Sequence, residues 1–381
     1  MYNRFLEIVS SSKNGLNGEE IGRALQMNNV RAFLTGRKRS FLTHIRAELD
    51  RLGSPEPHSQ FLPLHLKPRG TPGDSWVQVP KPPVTYEILD DFIHRVTPIQ
   101  TVEMTMLDFG FASIQDVERE RTNLFGHLLG AIIGDFGKGL RSSTKFPSMR
   151  LSLVLSTNKP NSLRFGTFAT FCANVSLGLG MHRMNNLPIS STRYGKSECF
   201  AWNSPTSPLL AWIFYDCLGL KTGETTTYNP VRMKWLLKAP PEFCAHFIQG
   251  LAESDGWPDP GADVAKVVSS PNTKLFKAIL ENLGCPSRVD HQKVELLVCN
   301  SEEAFRLPFF NPRIHSNLYE DLEILAHARR YPERRRLPQQ TIGLIREIAN
   351  NSETINEVCL QLARTTGYKV SGHTVKKYAR S

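Results

Sequence analysis

Leu128-Leu129-Gly130-Ala131-Ile132-Ile133-Gly134-Asp135 and Ile248-Gln249-Gly250-Leu251-Ala252-Glu253-Ser254-Asp255 say nearly the same thing twice in one chain. Each is an apolar helical run with Gly at one position, a small residue four later and an acid directly after it. Four residues make about one helical turn, so Gly130 and Gly134 share a face, as do Gly250 and Ser254. Faces built from such small residues let two helix backbones approach closely. If the runs pack through them, Asp135 and Asp255 emerge side by side at one end of the pair. Two carboxylates there repel unless a cation lies between them, and hard oxygen ligands suit Mg²⁺. The repeat therefore predicts a metal site on a pseudo-twofold axis.

Leu128 to Phe136 and Ile248 to Gly256 resemble the paired signature helices of the LAGLIDADG homing endonucleases, in the type that carries two motifs in a single chain. The second copy, Phe247-Ile248-Gln249-Gly250-Leu251-Ala252-Glu253-Ser254-Asp255-Gly256, matches closely. The first departs from the pattern where Phe136 stands for the usual final Gly, although Gly137 follows. The resemblance implies an α+β fold of two αββαββα repeats whose sheets form a pseudo-twofold saddle over the DNA major groove, a groove wide enough for a β-ribbon. It implies that Asp135 serves one strand and Asp255 the other, with divalent metal near the helix ends and the carbonyls of Gly134 and Ser254 completing parts of the shell. Arg313, and Arg232 or Lys234 as its counterpart, would support the activated water. The implied reaction is a Mg²⁺-dependent, site-specific, staggered double-strand break made by a monomer. The alternative on the same fold is a non-cleaving DNA-binding regulator or an RNA splicing maturase. Glu253 is a poorer catalytic candidate than Asp255, because its counterpart is the apolar Ile133.

Composition agrees with a polyanionic partner. Over 381 residues, 46 Lys and Arg face 36 Asp and Glu, a formal net charge of +10, and the pI is near 9.3. Such an excess favours nucleic acid. The 7 Cys form no CxxC pair and read as buried thiols of a reducing compartment, with neither zinc nor disulfides implied. No long apolar run or signal segment appears. The expected location is intracellular and cytoplasmic, associated with the nucleoid and away from membranes. His127, His182 and His246 have no zinc-ligand spacing and read as structural. Walker, dinucleotide and nucleophile-elbow motifs are missing.

Five segments are expected. Residues 1–53 read as all helix, with Asn17 capping a short helix and the set resembling a helix-turn-helix module. Residues 54–84 hold eight prolines, which argues for an extended linker without helix or interior strand. Residues 85–238 and 239–328 form the two repeats, each running helix, strands, helix, strands, helix, with Asn203-Ser204 and Asn300-Ser301 opening the third helix as N-caps would. Residues 329–381 begin with an arginine cluster suited to phosphates and end on a basic helix capped by Ser371, again resembling a helix-turn-helix. The residues expected to meet DNA are Arg150, Lys196, Lys266 and Lys293 on the sheets, then Arg334, Arg335, Arg336, Lys376 and Lys377 towards the C-terminus.

Overall fold

The computed structural model describes residues 83–96, 106–143, 146–157, 160–184, 189–192, 195–204, 208–221, 223–291, 294–332 and 336–379, with short pieces at 16–17, 23, 61–64 and 75–78. It is a mixed helix and sheet protein. Helix α1 (Tyr86–Val96) leads into α2 (Ile114–Gly134), which carries the first repeated octamer. The hydroxyl of Ser113 accepts from the Asp116 amide at 3.2 Å and so caps α2. Strands β4 (Phe136–Ser143) and β5 (Phe146–Ser156) follow, then α3 (Ser162–Leu177), β6 (His182–Arg183), β7 (Ile189–Thr192), β8 (Gly195–Asn203) and α4 (Pro208–Trp212), which runs on into a π-helical turn at Ile213–Cys217. The second octamer lies in α5 (Pro241–Asp255), which opens on proline, where the missing amide hydrogen is no loss. After it come β9 (Gly256–Asp259), β10 (Val264–Val268), α6 (Thr273–Asn282), β11 (Ser287–His291), β12 (Glu295–Asn300) and α7 (Ser301–Arg306).

Both halves share one topology. The first sheet runs β4-β5-β8-β6, with β7 also on β8, and the second runs β9-β10-β12-β11. In each half the last strand lies between the second and the third, the first half carrying one extra strand, β7, and neighbouring strands are antiparallel. The likeness reaches single residues. Asn203 pairs with Ser152 and Asn300 with Val264, so Leu151 and Asp263 stand at matching positions. Ser204 reaches Leu151 and Ser301 reaches Asp263, each with its hydroxyl. The capping expectation holds only in the second half, where the Asn300 side chain accepts from the Glu302 amide at 2.9 Å. In the first half Asn203 is still in β8, the helix being described from Pro208, and Ser204 is tied to the sheet, its oxygen 2.9 Å from the Leu151 nitrogen.

The N-terminal expectations need correction. Residues 1–53 are not all helix, since Leu16–Asn17 is a strand, β1, paired with β3 (Ser75–Gln78), whose other edge pairs with β2 (Phe61–Leu64). The proline-rich segment thus supplies the middle strand of a three-stranded sheet. Its prolines fit because Pro63 lies in the outer strand, β2, where a missing donor is tolerated. Arg23 is helical, within the short helix expected to contain Ile21, Ala24 and Leu25, and the other helices expected in residues 1–53 lie outside the described residues.

After α7, helix α8 (Ser316–His327) leads through β13 (Arg329–Arg330) to α9 (Gln339–Asn351), α10 (Ile355–Thr366), β14 (Tyr368–Lys369) and α11 (Gly372–Ala379). The last three helices have their own core of Leu337, Ile342, Ile345, Val358, Leu362, Val370 and Val375. Thr354 and Glu357 form a capping box on α10, and Ser371 caps α11 through the Thr374 amide. All 7 cysteines are buried free thiols. Among the described residues, no helix is long and apolar enough to cross a membrane.

Helices α2 and α5 pack along their length, and glycine makes that possible. A Cβ on Gly130 would collide with the Phe247 carbonyl oxygen and lie 2.7 Å from the Leu251 nitrogen. A Cβ on Gly250 would collide with the His127 carbonyl oxygen and lie 3.1 Å from the Ala131 nitrogen. Each backbone therefore occupies the space where the other would carry a side chain. Around this contact Leu128, Leu129, Ile132, Phe247, Ile248 and Leu251 belong to the main core. His246 is half-buried beside it. Loss of solvent above all, and then His127, lower the His246 imidazole, which Glu120 and Glu253 oppose, leaving it at about 4.

Two outcomes follow from this interface. Gly130→Ala and Gly250→Ala should each destabilise the protein by about 3 kcal/mol or more, as overpacking does, despite the ~1 kcal/mol that alanine gains in helix propensity. Chemical denaturation measures this, and stabilisation would show that the backbones do not touch. His246 gives a pH signature with a definite sign. Its folded pKa lies below its unfolded one, so its contribution is complete above about pH 6.5 and is lost as pH falls towards 4. The melting temperature of His246→Gln should fall less than that of the wild type across that window, and equal falls would contradict the assignment.

Candidate active site

The glycine faces bring the two acids together at the C-terminal ends of α2 and α5. Asp135 is the residue that caps α2, its amide bonded to the Ala131 carbonyl at 3.0 Å, and Asp255 is the last residue of α5. A Cβ on Gly134 would collide with Cβ of Ser254 and lie 3.3 Å from Oδ2 of Asp255. The Asp255 carboxylate thus rests against the residue that precedes Asp135. Gly134, Asp135 and Asp255 are half-buried, whereas Ser254 is buried and turns its hydroxyl back to the Gly250 carbonyl at 2.8 Å. All four residues named for the metal therefore meet at one place.

One helical step inside this end lies a polar contact that sequence reasoning did not identify. Glu253 is wholly buried, and its Oε2 lies 2.8 Å from Nε2 of His127, also wholly buried, across the helix pair. The carboxylate accepts, so Nε2–H of His127 donates, while the Nδ1 of that ring has no partner among the described residues. The other oxygen of Glu253 accepts from the Asn311 amide at 2.7 Å. This ties α2, α5 and the turn after α7 to a single buried carboxylate. Removing one partner of such a pair commonly costs about 3–5 kcal/mol. The available signal was Glu253 itself, an acid on a helix turn otherwise filled by apolar and small residues. The expectation that His127 is structural fits this position, whereas His182 is exposed on β6.

The two arginines differ. Arg313 is exposed, its own amide bonded to Oδ1 of Asn311 at 2.9 Å, and its side chain lies over Gly110. Gly110 has φ of +92°, and a Cβ there would lie 2.7 Å from Nε of Arg313. Only glycine meets both conditions. Arg232 instead grips Glu224 with two nitrogens, at 2.7 and 3.0 Å, and also donates to the Gly219 carbonyl at 2.6 Å. The Arg232 hydrogen bonds hold the Glu224 carboxyl at about 2, and the Lys221 amide adds to the effect. Lys234 lies nearby in a short 3-10 turn, Lys234–Lys238.

Of the residues expected to meet DNA, Arg150 is exposed on β5. Lys196 lies in β8 opposite Ser191. Lys266 faces away from the core beside Trp257, Val298 and Arg288, which the strand register sets in one row across the second sheet. Its ammonium pairs with Asp259 at 2.6 Å, so it is partly committed within the protein. Arg336 is exposed, and Lys376 and Lys377 are exposed on α11. Lys293, Arg334 and Arg335 lie outside the described residues.

No protein-family model matches the chain, and no curated protein does either. Several solved structures resemble part of it. One is the homing endonuclease I-DmoI in complex with DNA and Mn, at 15% identity over 49% of this chain and 95% of that one, with a TM-score of 0.35. Another is the homing endonuclease I-WcaI bound to its DNA recognition sequence, at 12% identity over 56% of this chain and 96% of that one, with a TM-score of 0.37. A third is the N-terminal LAGLIDADG domain of DUF199/WhiA, at 11% identity over 61% of this chain and 94% of that one, with a TM-score of 0.29. The structural neighbours of this chain are thus LAGLIDADG homing endonucleases and the LAGLIDADG domain of WhiA, at low identity and over part of its length.

Proposed function

We propose that this chain is a metal-dependent DNA endonuclease of the two-motif LAGLIDADG type, cutting both strands of a specific site as a monomer. The observation that carries this reading is the juxtaposition of Asp135 and Asp255 at the end of a glycine-faced helix pair. The repeat sets an acid at the end of each helix, and two carboxylates brought to one place repel each other unless a cation offsets their charge. The donor set suits a hard divalent ion such as Mg²⁺. Among the described residues no group of three or more His, Cys, Asp or Glu could hold a metal by itself. Asp135 and Asp255 would therefore supply the anionic ligands and the Gly134 and Ser254 carbonyls would complete the protein's share, the oxygen-only donor set that a hard cation takes.

A divalent metal bound there lowers the pKa of a water and offsets charge on the phosphoryl oxygens. The chain's own residues do the positioning. Asp135 and Asp255 would hold the ion between them, Asp135 towards one strand and Asp255 towards the other, so that a single rigid helix pair sets the offset between the two cuts. The buried Glu253 fixes the separation of α2 and α5 immediately behind those ligands. Arg313, which makes no ion pair among the described residues, is the better candidate to steady the attacked phosphate. Arg232 must first leave Glu224 to do the same. The sheet cations and the C-terminal helices, read as a helix-turn-helix, hold double-stranded DNA by its phosphates.

One observation favours the non-cleaving alternative, a DNA-binding regulator or a maturase: Arg232 and Lys266 are both paired within the protein. Incubating the protein with a randomised duplex library and Mg²⁺, then sequencing the ends, decides between the two. The endonuclease reading expects defined, staggered ends. Asp135→Asn and Asp255→Asn should each lower double-strand cutting by at least about 100-fold, consistent with loss of a metal ligand or its supporting shell, while binding in Ca²⁺ persists. Wild-type binding without any cut ends would establish the regulator reading instead.

A further inference from the structure

The two halves differ at the tips of their first hairpins. In the first half β4 and β5 are 8 and 11 residues long and stay paired out to Ser143 and Phe146. In the second half β9 and β10 are only 4 and 5 residues long and pair over four positions. At roughly 3.3 Å per residue, the longer strand of the first hairpin reaches about twice as far as that of the second. The space beyond the short hairpin is taken by the C-terminal three-helix unit. Its Gly372 amide donates to the Gly261 carbonyl in the β9–β10 turn at 2.9 Å, and the two glycine backbones touch.

One residue of that turn holds the unit. Asp263 is 8% exposed, with φ of +56°. Its Oδ1 accepts from the Ser301 hydroxyl at 2.5 Å and lies 2.8 Å from Nζ of Lys369, and its Oδ2 accepts from Nε of Arg330 at 2.8 Å. A single carboxylate thus joins the second sheet, the start of α7, the chain entering the C-terminal unit and the strand before its last helix. The parallel pairing of Arg329–Arg330 with Tyr368–Lys369 closes the same seam. Beyond it, Arg336, Lys376 and Lys377 are exposed.

We propose that the C-terminal unit is the outer DNA arm of the second half, standing where a long hairpin serves the first, and that Asp263 is the positioning residue that sets its distance from the cut. This rests on the endonuclease reading. Held by the clasp, the arm meets phosphates at one fixed spacing from Asp255. The recognised site is then asymmetric, touched by a β-ribbon at one end and by helices at the other.

The test uses the full chain with Asp263→Asn and Lys369→Met. Asparagine tolerates the positive φ of Asp263, so that substitution removes charge without straining the turn, and Lys369→Met approaches the same seam from the other side. Two measurements are made: amide hydrogen exchange of the free protein, and hydroxyl-radical footprinting on a bound duplex. Both variants should exchange at least about tenfold faster at 329–331 and 368–372. Their footprints should withdraw at the second-half end alone, with affinity about tenfold weaker as phosphate contacts are lost. Unchanged exchange in both variants overturns the clasp. Faster exchange with an unchanged footprint boundary overturns the arm. A wild-type chain that protects no DNA defeats the endonuclease reading itself and takes this proposal with it, an outcome distinguished from the others because it appears without any substitution.

Discussion

Everything in this molecule hangs on the close approach of two helix backbones. Gly130 lies against the carbonyl of Phe247 and Gly250 against that of His127, at distances that leave no room for a methyl group. Interdigitated side chains normally keep helix axes about 8–10 Å apart. Removing those side chains on both partners draws the ends together, and only then do Asp135 and Asp255 become neighbours. The same contact sets the relation of the two sheets, since β4 and β9 leave directly from the ends of α2 and α5. A constraint at two glycines thus fixes both the candidate metal site and the positions of the surfaces around it.

The polar groups near this contact reinforce it in a different way. The apolar core around α2 and α5 is non-directional and would tolerate sliding by part of a turn. The Glu253–His127 contact would not, because a buried carboxylate at 2.8 Å from its donor has one satisfactory register. Asn311 adds a third direction through its amide. The glycines thus set how near the helices come, and Glu253 sets how they are aligned.

Much of this was legible in the sequence because it is local and repeated. Gly-x-x-x-small followed by Asp is a pattern of one helical turn, and finding it twice predicts both the shared face and the paired acids. The helix and strand order of both halves follows from apolar periodicity and from caps such as Ser371. The missed features depend on partners far apart in sequence. His127 and Glu253, or Asp263 with Arg330 and Lys369, come together only through tertiary packing, and no spacing rule announces them. The reading of 54–84 failed for another reason: prolines exclude a central strand only at the residues they occupy, and Ser75–Gln78 contains none. Asn203-Ser204 misled because the same dipeptide caps a helix in one half and stitches a sheet in the other, a choice made by where the following helix begins.

The central claim, that Asp135 and Asp255 form one shared cation site, is tested most directly by a double-mutant cycle on unfolding free energy. The wild type, Asp135→Asn, Asp255→Asn and the double variant would be measured in EDTA and again in Mg²⁺. Adjacent carboxylates predict non-additivity of about 0.5–3 kcal/mol in EDTA, with each single substitution relieving repulsion, and a coupling of opposite sign in Mg²⁺. Additive effects under both conditions would show that the two carboxylates neither sense each other nor share an ion.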